Sequence, residues 1–162
     1  MIRPVSSADA FALARIYNHY IATTTISFET EPANTADMIE RIAEVAATGL
    51  PWLVIETRGQ VLGYAYTSKW KGRCAYRFSV ETSVYLDTSV IAQGLGSLLY
   101  TALIARLSEI GIHAAIGGVA LPNPASVALH EKFGFEKVAH FKEVGSKFDR
   151  WRDVGYWQLA LA

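Results

Sequence analysis

Between residues 83 and 100 the chain reads SVYLDTSVIAQGLGSLLY. An alternating apolar stretch gives way to a polar turn, two glycines and a leucine-rich run. Upstream, residues 76–87 alternate. Tyr76, Phe78, Val80, Thr82, Val84 and Leu86 point one way, and Arg77, Ser79, Glu81, Ser83, Tyr85 and Asp87 the other, the period of a strand. Downstream, Leu95, Leu98, Leu99, Ala102, Leu103, Leu107 and Ile110 recur at helical spacing, and Gly111 stops the run. A strand therefore passes into a helix across Gly94 and Gly96. A helix start leaves backbone N–H groups unpaired, and glycines let a ligand approach them closely, which suits a phosphate. An isolated pair of glycines more often marks close helix–strand packing, so the rest of the chain must decide.

Residues 1–5 read as a short strand, and Ser6, Ser7 and Asp9 offer caps for a helix over roughly 9–22. Asn34 or Thr35 can cap a second helix that carries Met38, Ile39, Ile42 and Val45. WLVIETRGQVLGYAYTSKW reads as a hairpin around Arg58–Gly59, and 69–75 as a basic loop. HAAIGGVAL is a buried strand, 124–133 a short helix closed by Gly134, and 135–161 two strands joined around Gly145 to Asp149. The predicted order is β-α-α-β-β-β-α-β-α-β-β, a mixed α/β domain. Its hairpin-connected strands argue against a purely parallel, doubly wound sheet.

The 162 residues suffice for one domain, expected over 1–162, with a sizeable core. Acids and bases balance at 15 each, which disfavours general nucleic-acid binding. The single Cys74 excludes an internal disulfide and fits a reducing, cytoplasmic compartment. MIRPVSSADA lacks the apolar core of a secretory signal, and no run approaches the ~20 apolar residues of a membrane helix. His19, His113, His130 and His140 lack metal-ligand spacing, so no metal is expected.

Among phosphate ligands, a P-loop would need Lys-Ser/Thr after the glycines, where Ser97 and Leu98 stand. A dinucleotide turn would need a third glycine at 99 and an acid at the next strand end, and neither is present. A pyrophosphate arm against the helix start, with no metal, remains, and coenzyme A fits it. Here LPNPASVALHEKFGF, at 121–135, resembles the closing motif of the GNAT superfamily of acetyl-CoA-dependent N-acetyltransferases, and 91–96 resembles their pyrophosphate motif. NHYIATTTISFETEP, SVETSVYL, GLGSLLYTALI and WRDVGYWQ, with that closing motif, are similar to the phosphinothricin and methionine sulfoximine N-acetyltransferases. These segments span about residues 18 to 158. One departure stands out. Ile91 and Ala92 open the pyrophosphate motif where the family carries Gln or Arg first; Gly94 and Gly96 are kept, and Gln93 is a candidate replacement donor.

The resemblance implies a GNAT fold, acetyl-CoA as co-substrate, a small amine acceptor and a homodimer. It places Glu81 beside the acceptor amine as general base, acting through a water; the alternative is an ion pair with Arg77 on the same strand face. His130 stands where many members protonate the leaving thiolate, and imidazole can serve as acid or merely position. Backbone N–H groups of Val84, Tyr85 and Leu86 are expected on the pantetheine arm, and Gln93, Gly94, Leu95, Gly96 and Ser97 at the pyrophosphate. Asn123 and Ser126 join them, Asn123 also suiting a helix cap. Arg77 is the candidate clamp for an acceptor carboxylate. Phe28, Glu29 and Ser79 are further acceptor candidates, Phe28 equally suiting a core. Cys74 has no partner His for covalent chemistry. Another amine acceptor, or a non-catalytic acetyl-CoA-binding module suggested by Ile91–Ala92, remain competing readings.

Overall fold

The computed structural model describes residues 1–161. The strands are β1 (Ile2–Pro4), β2 (Trp52–Thr57), β3 (Gln60–Lys69), β4 (Ser79–Leu86), β5 (Ala114–Ala120), β6 (Glu136–Lys147) and β7 (Arg150–Ala160). The helices are α1 (Ala10–Thr23), α2 (Thr35–Ala47), α3 (Leu95–Glu109) and α4 (Pro124–Lys132). Short 3-10 turns aside, this is the order read from the sequence. The strands form one seven-stranded sheet, β1-β2-β3-β4-β5-β7-β6. Every neighbouring pair is antiparallel except β4–β5. No described helix is long and apolar enough to cross a membrane.

Both faces of the sheet are covered. On one, α1 and α2 bury Leu13, Ile16, Met38 and Ile42 against Trp52, Val54 and Tyr64. On the other, α3 buries Leu99, Leu103 and Leu107 with Val80, Ala115, Phe135 and Trp157. Strand β2 alternates Trp52 and Val54 to the first layer with Leu53 and Ile55 to the second, as a doubly covered strand must. Helix α2 starts with a reciprocal cap: the Asp37 N–H donates to Asn34 Oδ1 at 2.8 Å and the Asn34 N–H to Asp37 Oδ2 at 2.9 Å. At the sheet edge Arg3 donates to Asp9 at 2.9 and 2.8 Å and to Glu56 at 2.8 Å.

Two boundaries differ from the sequence reading. Strand β4 begins at Ser79, three residues late, because Cys74–Tyr76 forms a 3-10 turn that the Arg77 N–H closes on the Cys74 carbonyl at 3.1 Å. Tyr76 and Phe78 are consequently exposed rather than aligned with Val80. The β6–β7 connection is tighter than expected. It is the pair Phe148–Asp149, both at positive φ (54° and 57°). Gly145 lies within β6, at the end of a register shift, and Phe28 packs on it so closely that an added Cβ would meet the ring at 2.3 Å.

Leu103 is fully buried between α3 and the sheet. Replacing it with Ala is expected to cost about 2–5 kcal/mol through lost burial and a residual cavity. Urea denaturation should read this as a lowered midpoint at unchanged slope.

Candidate active site

The site grows from the one parallel pair. Strands β4 and β5 are in register only at Ser79–Ala114, Val80–Ala115 and Glu81–Ile116. Beyond Glu81 they part. The Trp70 N–H donates to the Ser79 carbonyl at 3.3 Å and the Asp87 N–H to the Leu62 carbonyl at 2.8 Å, which fixes the phase of β4. Odd-numbered residues exchange backbone bonds with β3, so even-numbered ones face β5. Past the fork, the Val84 and Leu86 N–H groups therefore turn into the gap, and the Leu86 carbonyl accepts from Tyr20 Oη at 2.5 Å. Tyr85 corrects the sequence reading: its backbone is committed to Tyr64 of β3. Its side chain instead lies on the opposite, α1-facing side of the sheet, 5.0 Å from the Tyr17 ring.

One cleft, of about 310 Å³, opens on the gap, bordered by Val84, Leu86, Gly94, Gly96, Ser97 and Asn123. Gly94 is the N-cap of α3 at φ 82°, a left-handed conformation that glycine adopts without strain. The Leu98 N–H bonds the Gly94 carbonyl at 3.2 Å, which leaves the N–H groups of Leu95, Gly96 and Ser97 without helical acceptors, as at any helix start. Ala92 and Ile91 border the cleft as well. Gln93 does not replace the missing polar side chain: its Nε2 donates to the Ser89 carbonyl at 3.3 Å, within its own loop. Asn123 Oδ1 accepts from the Ser126 N–H at 3.2 Å, so it caps α4 while bordering the cleft. Lys132, which the sequence reading passed over, donates to Ser97 Oγ at 3.0 Å and brings a cation to the start of α3.

A second cleft, of about 580 Å³, lies across β4 and meets the first at Ile26, which borders both. Glu81, Ser83 and Tyr85 form its floor, with Phe28, Glu29 and Tyr156 around them. Glu81 is partly buried and makes no hydrogen bond or ion pair among the described residues. Burial raises its carboxyl above the ordinary value, and the charge of Lys71 partly offsets this. The backbone comes close here. A Cβ at Gly118 would lie 3.3 Å from Glu81 Oε1 and 3.0 Å from the Tyr156 ring. The adjacent Gly117–Gly118 in β5 was the available signal, since glycines within a strand mark close approach. Glu29 is bound by Arg41 at 2.5 and 3.0 Å and by the Tyr17 hydroxyl, and Arg41 holds it below the usual carboxylate value. Lys147 donates to the Ser27 carbonyl at 2.7 Å.

Arg77 is not brought to this cleft. It is exposed, donates to the Cys74 carbonyl at 3.1 Å and lies over the Phe78 ring at 4.4 Å. The alternative Arg77–Glu81 pairing does not form among the described residues, because the strand that would have aligned them starts only at Ser79, and Ser79 borders neither cleft. For His130 the sequence left an acid and a positioning role open, and the structure places it away from both clefts. It is 3% exposed. Nδ1 lies 2.7 Å from the Ser126 carbonyl and Nε2 2.8 Å from Tyr100 Oη. A carbonyl only accepts, so Nδ1 carries the proton and Nε2 accepts from the tyrosine. Burial holds its pKa below the ordinary value and so favours the neutral ring. Cys74 is free and exposed. No cluster of metal-ligating side chains occurs among the described residues.

The comparisons with known proteins agree with this geometry. The family model described as "Acetyltransferase (GNAT) domain" matches residues 2–155. The chain is 41% identical to a phosphinothricin N-acetyltransferase of Streptomyces viridochromogenes, covering 97% of this chain and 85% of that one. It is 34% identical to an L-methionine sulfoximine/L-methionine sulfone acetyltransferase of Salmonella typhimurium, covering 99% and 94%. A crystallised acetyltransferase from Salmonella typhimurium, solved with acetyl-CoA, superposes with a TM-score of 0.97 at 34% identity, covering 100% and 94%. With a forked sheet, a glycine-capped helix at the fork and a family match over nearly its whole length, the chain belongs to the GNAT acetyltransferase family and is an acetyl-CoA-dependent N-acetyltransferase.

Proposed function

We propose that this chain, as one catalytic domain over 1–162, transfers the acetyl group of acetyl-CoA directly to the amino group of a small amino-acid-like acceptor of the phosphinothricin, methionine sulfoximine or methionine sulfone type. The observation that carries this reading is Glu81. It is a carboxylate without a partner among the described residues, on the floor of the second cleft at the last β4 rung before the fork. The thioester arm runs along the gap on the Val84 and Leu86 N–H groups, extending β4 through the ligand. The pyrophosphate rests on the N–H groups of Leu95, Gly96 and Ser97, with Lys132 beside it. These backbone donors do not depend on the side chain at 91, which is how the site tolerates Ile91. Asn123 and Ser126 border the arm from the far side.

The acceptor occupies the second cleft, against Phe28, Tyr85 and Tyr156. Arg41, paired with Glu29, and Lys147, bound to the Ser27 carbonyl, stand behind the cleft rather than in its lining, and Arg77 is outside it, so the geometry names no free clamp for an acceptor carboxylate. Glu81, through a water, takes a proton from the ammonium group. The neutral amine attacks the thioester carbon, the C–N bond forms, the adduct's nitrogen gives its surplus proton to solvent water, and the C–S bond breaks to release coenzyme A thiolate. Holding both reactants at one fork removes much of the entropic barrier, and a β4 N–H donor stabilises the developing oxyanion. Thiol release from acetyl-CoA, assayed against methionine sulfoximine, methionine sulfone, phosphinothricin, spermidine, an aminoglycoside and a short peptide, tests the assignment. Release is expected only with the first three. Glu81→Gln should lower it by about 10²- to 10⁴-fold. Release with the polyamine or peptide alone would move the specificity elsewhere, and none at all with acetyl-CoA bound would favour a binding module.

A base works ionised, and burial raises the Glu81 carboxyl above its ordinary value of 4.5. Activity should therefore fall as pH drops through that raised value, with the acid limb of kcat/KM lying above 4.5. Removing the offsetting charge with Lys71→Met should move the limb further up. A limb that stays in place in Lys71→Met and persists in Glu81→Gln would remove Glu81 from the role.

We further place the enzyme in the cytoplasm, given its lone exposed Cys74, and propose a homodimer through the β6–β7 hairpin. There the edge strand and its turn expose Phe141 (52%), Val144 (60%), Phe148 (54%) and Trp151 (66%). Light scattering should give twice the chain mass, falling to the monomer mass in a Phe141→Asp/Trp151→Asp variant; a monomeric unaltered protein would refute the dimer.

A further inference from the structure

The Tyr100–His130 pair does something the transfer reaction does not by itself require. His130 accepts from Tyr100 Oη at 2.8 Å and donates to the Ser126 carbonyl at 2.7 Å. Tyr100 Oη is also 3.1 Å from Thr82 Oγ1, and Thr82 Oγ1 lies 3.5 Å from the Ile116 carbonyl, at the limit of hydrogen bonding. These groups come from four elements. Ser126 and His130 belong to α4, Tyr100 to α3, Thr82 to β4 and Ile116 to β5. The positions matter more than the number. Ile116 is the last β5 residue in register with β4, and Thr82 is the first β4 residue past that register. Because Tyr100 gives its proton to His130, Thr82 gives its only proton to Tyr100 and has none for the Ile116 carbonyl; β5 is met instead by the imidazole packed on Gly117, next to Ile116, and the bonded chain ends on β4 at Thr82, where the strands part. Its other end reaches the first turn of α4, whose Asn123 and Ser126 border the cofactor cleft. Its middle is in α3, whose first turn borders the same cleft.

All three bonded side chains are deeply buried: Tyr100 is 0% exposed, His130 3% and Thr82 4%. The site is also shaped around the imidazole. A Cβ on Gly117 would fall 2.3 Å from His130 Nε2 and 2.6 Å from Cδ2. Gly117 thus lets the ring seat directly against β5, beside the residue where register ends. Edge-to-face contacts with Tyr100 and Phe135, at centroid separations of 5.3 and 5.1 Å, hold the ring plane.

We propose that His130 is a positioning residue: with Tyr100 it forms a buried strut that sets the opening of the β4–β5 fork and fixes the starts of α3 and α4 relative to it. It does not protonate the leaving thiolate, because both ring nitrogens are spent and neither cleft reaches them. The inference rests on the placing of acetyl-CoA in the gap. The strut then acts on the cofactor through the groups it aligns: the Val84 and Leu86 N–H donors, the α3 N–H groups and the Asn123 side chain. Loosening it should raise KM for acetyl-CoA more than it lowers kcat.

Three variants separate the strut from a general acid. Tyr100→Phe removes the hydroxyl joining His130 to Thr82 and leaves the imidazole in place. His130→Gln cannot serve as an imidazole acid, but its side-chain oxygen reaches about as far as Nε2 and can accept from Tyr100. His130→Leu breaks both bonds. For the strut, Tyr100→Phe and His130→Leu raise KM for acetyl-CoA about 10-fold or more. His130→Gln restores most of that loss and keeps kcat within about 10-fold, with the alkaline limb of the kcat profile unmoved. For a general acid, His130→Gln and His130→Leu both lose about 10²- to 10⁴-fold in kcat and change that limb, while Tyr100→Phe leaves KM alone. The second pattern, or an unchanged KM in Tyr100→Phe, overturns the proposal. Should His130→Leu fail to fold by circular dichroism, the other two variants decide the matter. Each is compared with the unaltered enzyme, so a wrongly chosen acceptor lowers all alike and leaves the ratios intact. A cofactor placed outside the gap would show instead as a Val84→Pro variant, which lacks that N–H, with undiminished acetyl-CoA binding.

Discussion

The molecule depends on a hydrogen-bond ladder that stops. Strands β4 and β5 pair over three rungs and then separate, with the chain on either side continuing as regular strand. A sheet does not ordinarily leave interior strand groups without partners, because an unpaired polar group in a buried setting is costly. At this fork the cost is met from two directions. Tyr20 reaches over from α1 to satisfy the Leu86 carbonyl. The Val84 and Leu86 N–H groups stay open to a cleft, where an amide-bearing ligand can complete the ladder. Of the sheet's six interfaces, this one alone is left part open, and there we place the co-substrate.

Sidedness follows from the pleat. Glu81, Ser83 and Tyr85 face the α1 layer and floor the second cleft. Thr82, one residue from Glu81, faces the opposite layer and touches Tyr100. Alternation along a single strand thus keeps the reacting face and the supporting face apart while fixing their spacing. Helix α3 contributes twice in the same economical way. Its first turn borders the cofactor cleft, and one turn further on Tyr100 turns inward to the strut.

Much of this was legible in the sequence, and what escaped did so for physical reasons. The element order was readable because period 2 in residues 79–86 and period 3.6 in 95–109 are local properties. Glu81 could be set on an inward strand face, and it does line the second cleft, while the role expected of it came only from the SVETSVYL resemblance. Arg77 could not be placed, since alternation continues formally through Tyr76, and only the 3-10 closure onto Cys74 shows that the strand starts later. Tyr85 was assigned a backbone role that belongs to its even-numbered neighbours. Which edge a residue turns to β5 depends on the register with β3, and no single-strand pattern carries that. For His130 the sequence left acid and positioning roles open, because nothing local shows whether the ring faces a cleft or the core. Its burial comes from α3 and β5, and the only hint was the missing side chain at Gly117.

The same contrast bears on how a histidine at this place should be read. A proton donor to a leaving thiolate must reach the cleft and hold a proton to give. His130 lies 3% exposed, and the proton it holds is committed to the Ser126 carbonyl. Moving it toward the gap would break that bond, abandon the Tyr100 hydroxyl, and vacate space that Gly117 leaves for the ring. The first two steps each leave a buried polar group unpaired, at about 1–3 kcal/mol apiece, and the third leaves a void. A thiolate released at the mouth of an open cleft can take its proton from water instead. The geometry therefore assigns chemistry to the face that carries Glu81, and assigns the opposite face, through Thr82, the task of keeping the fork at the width the chemistry needs.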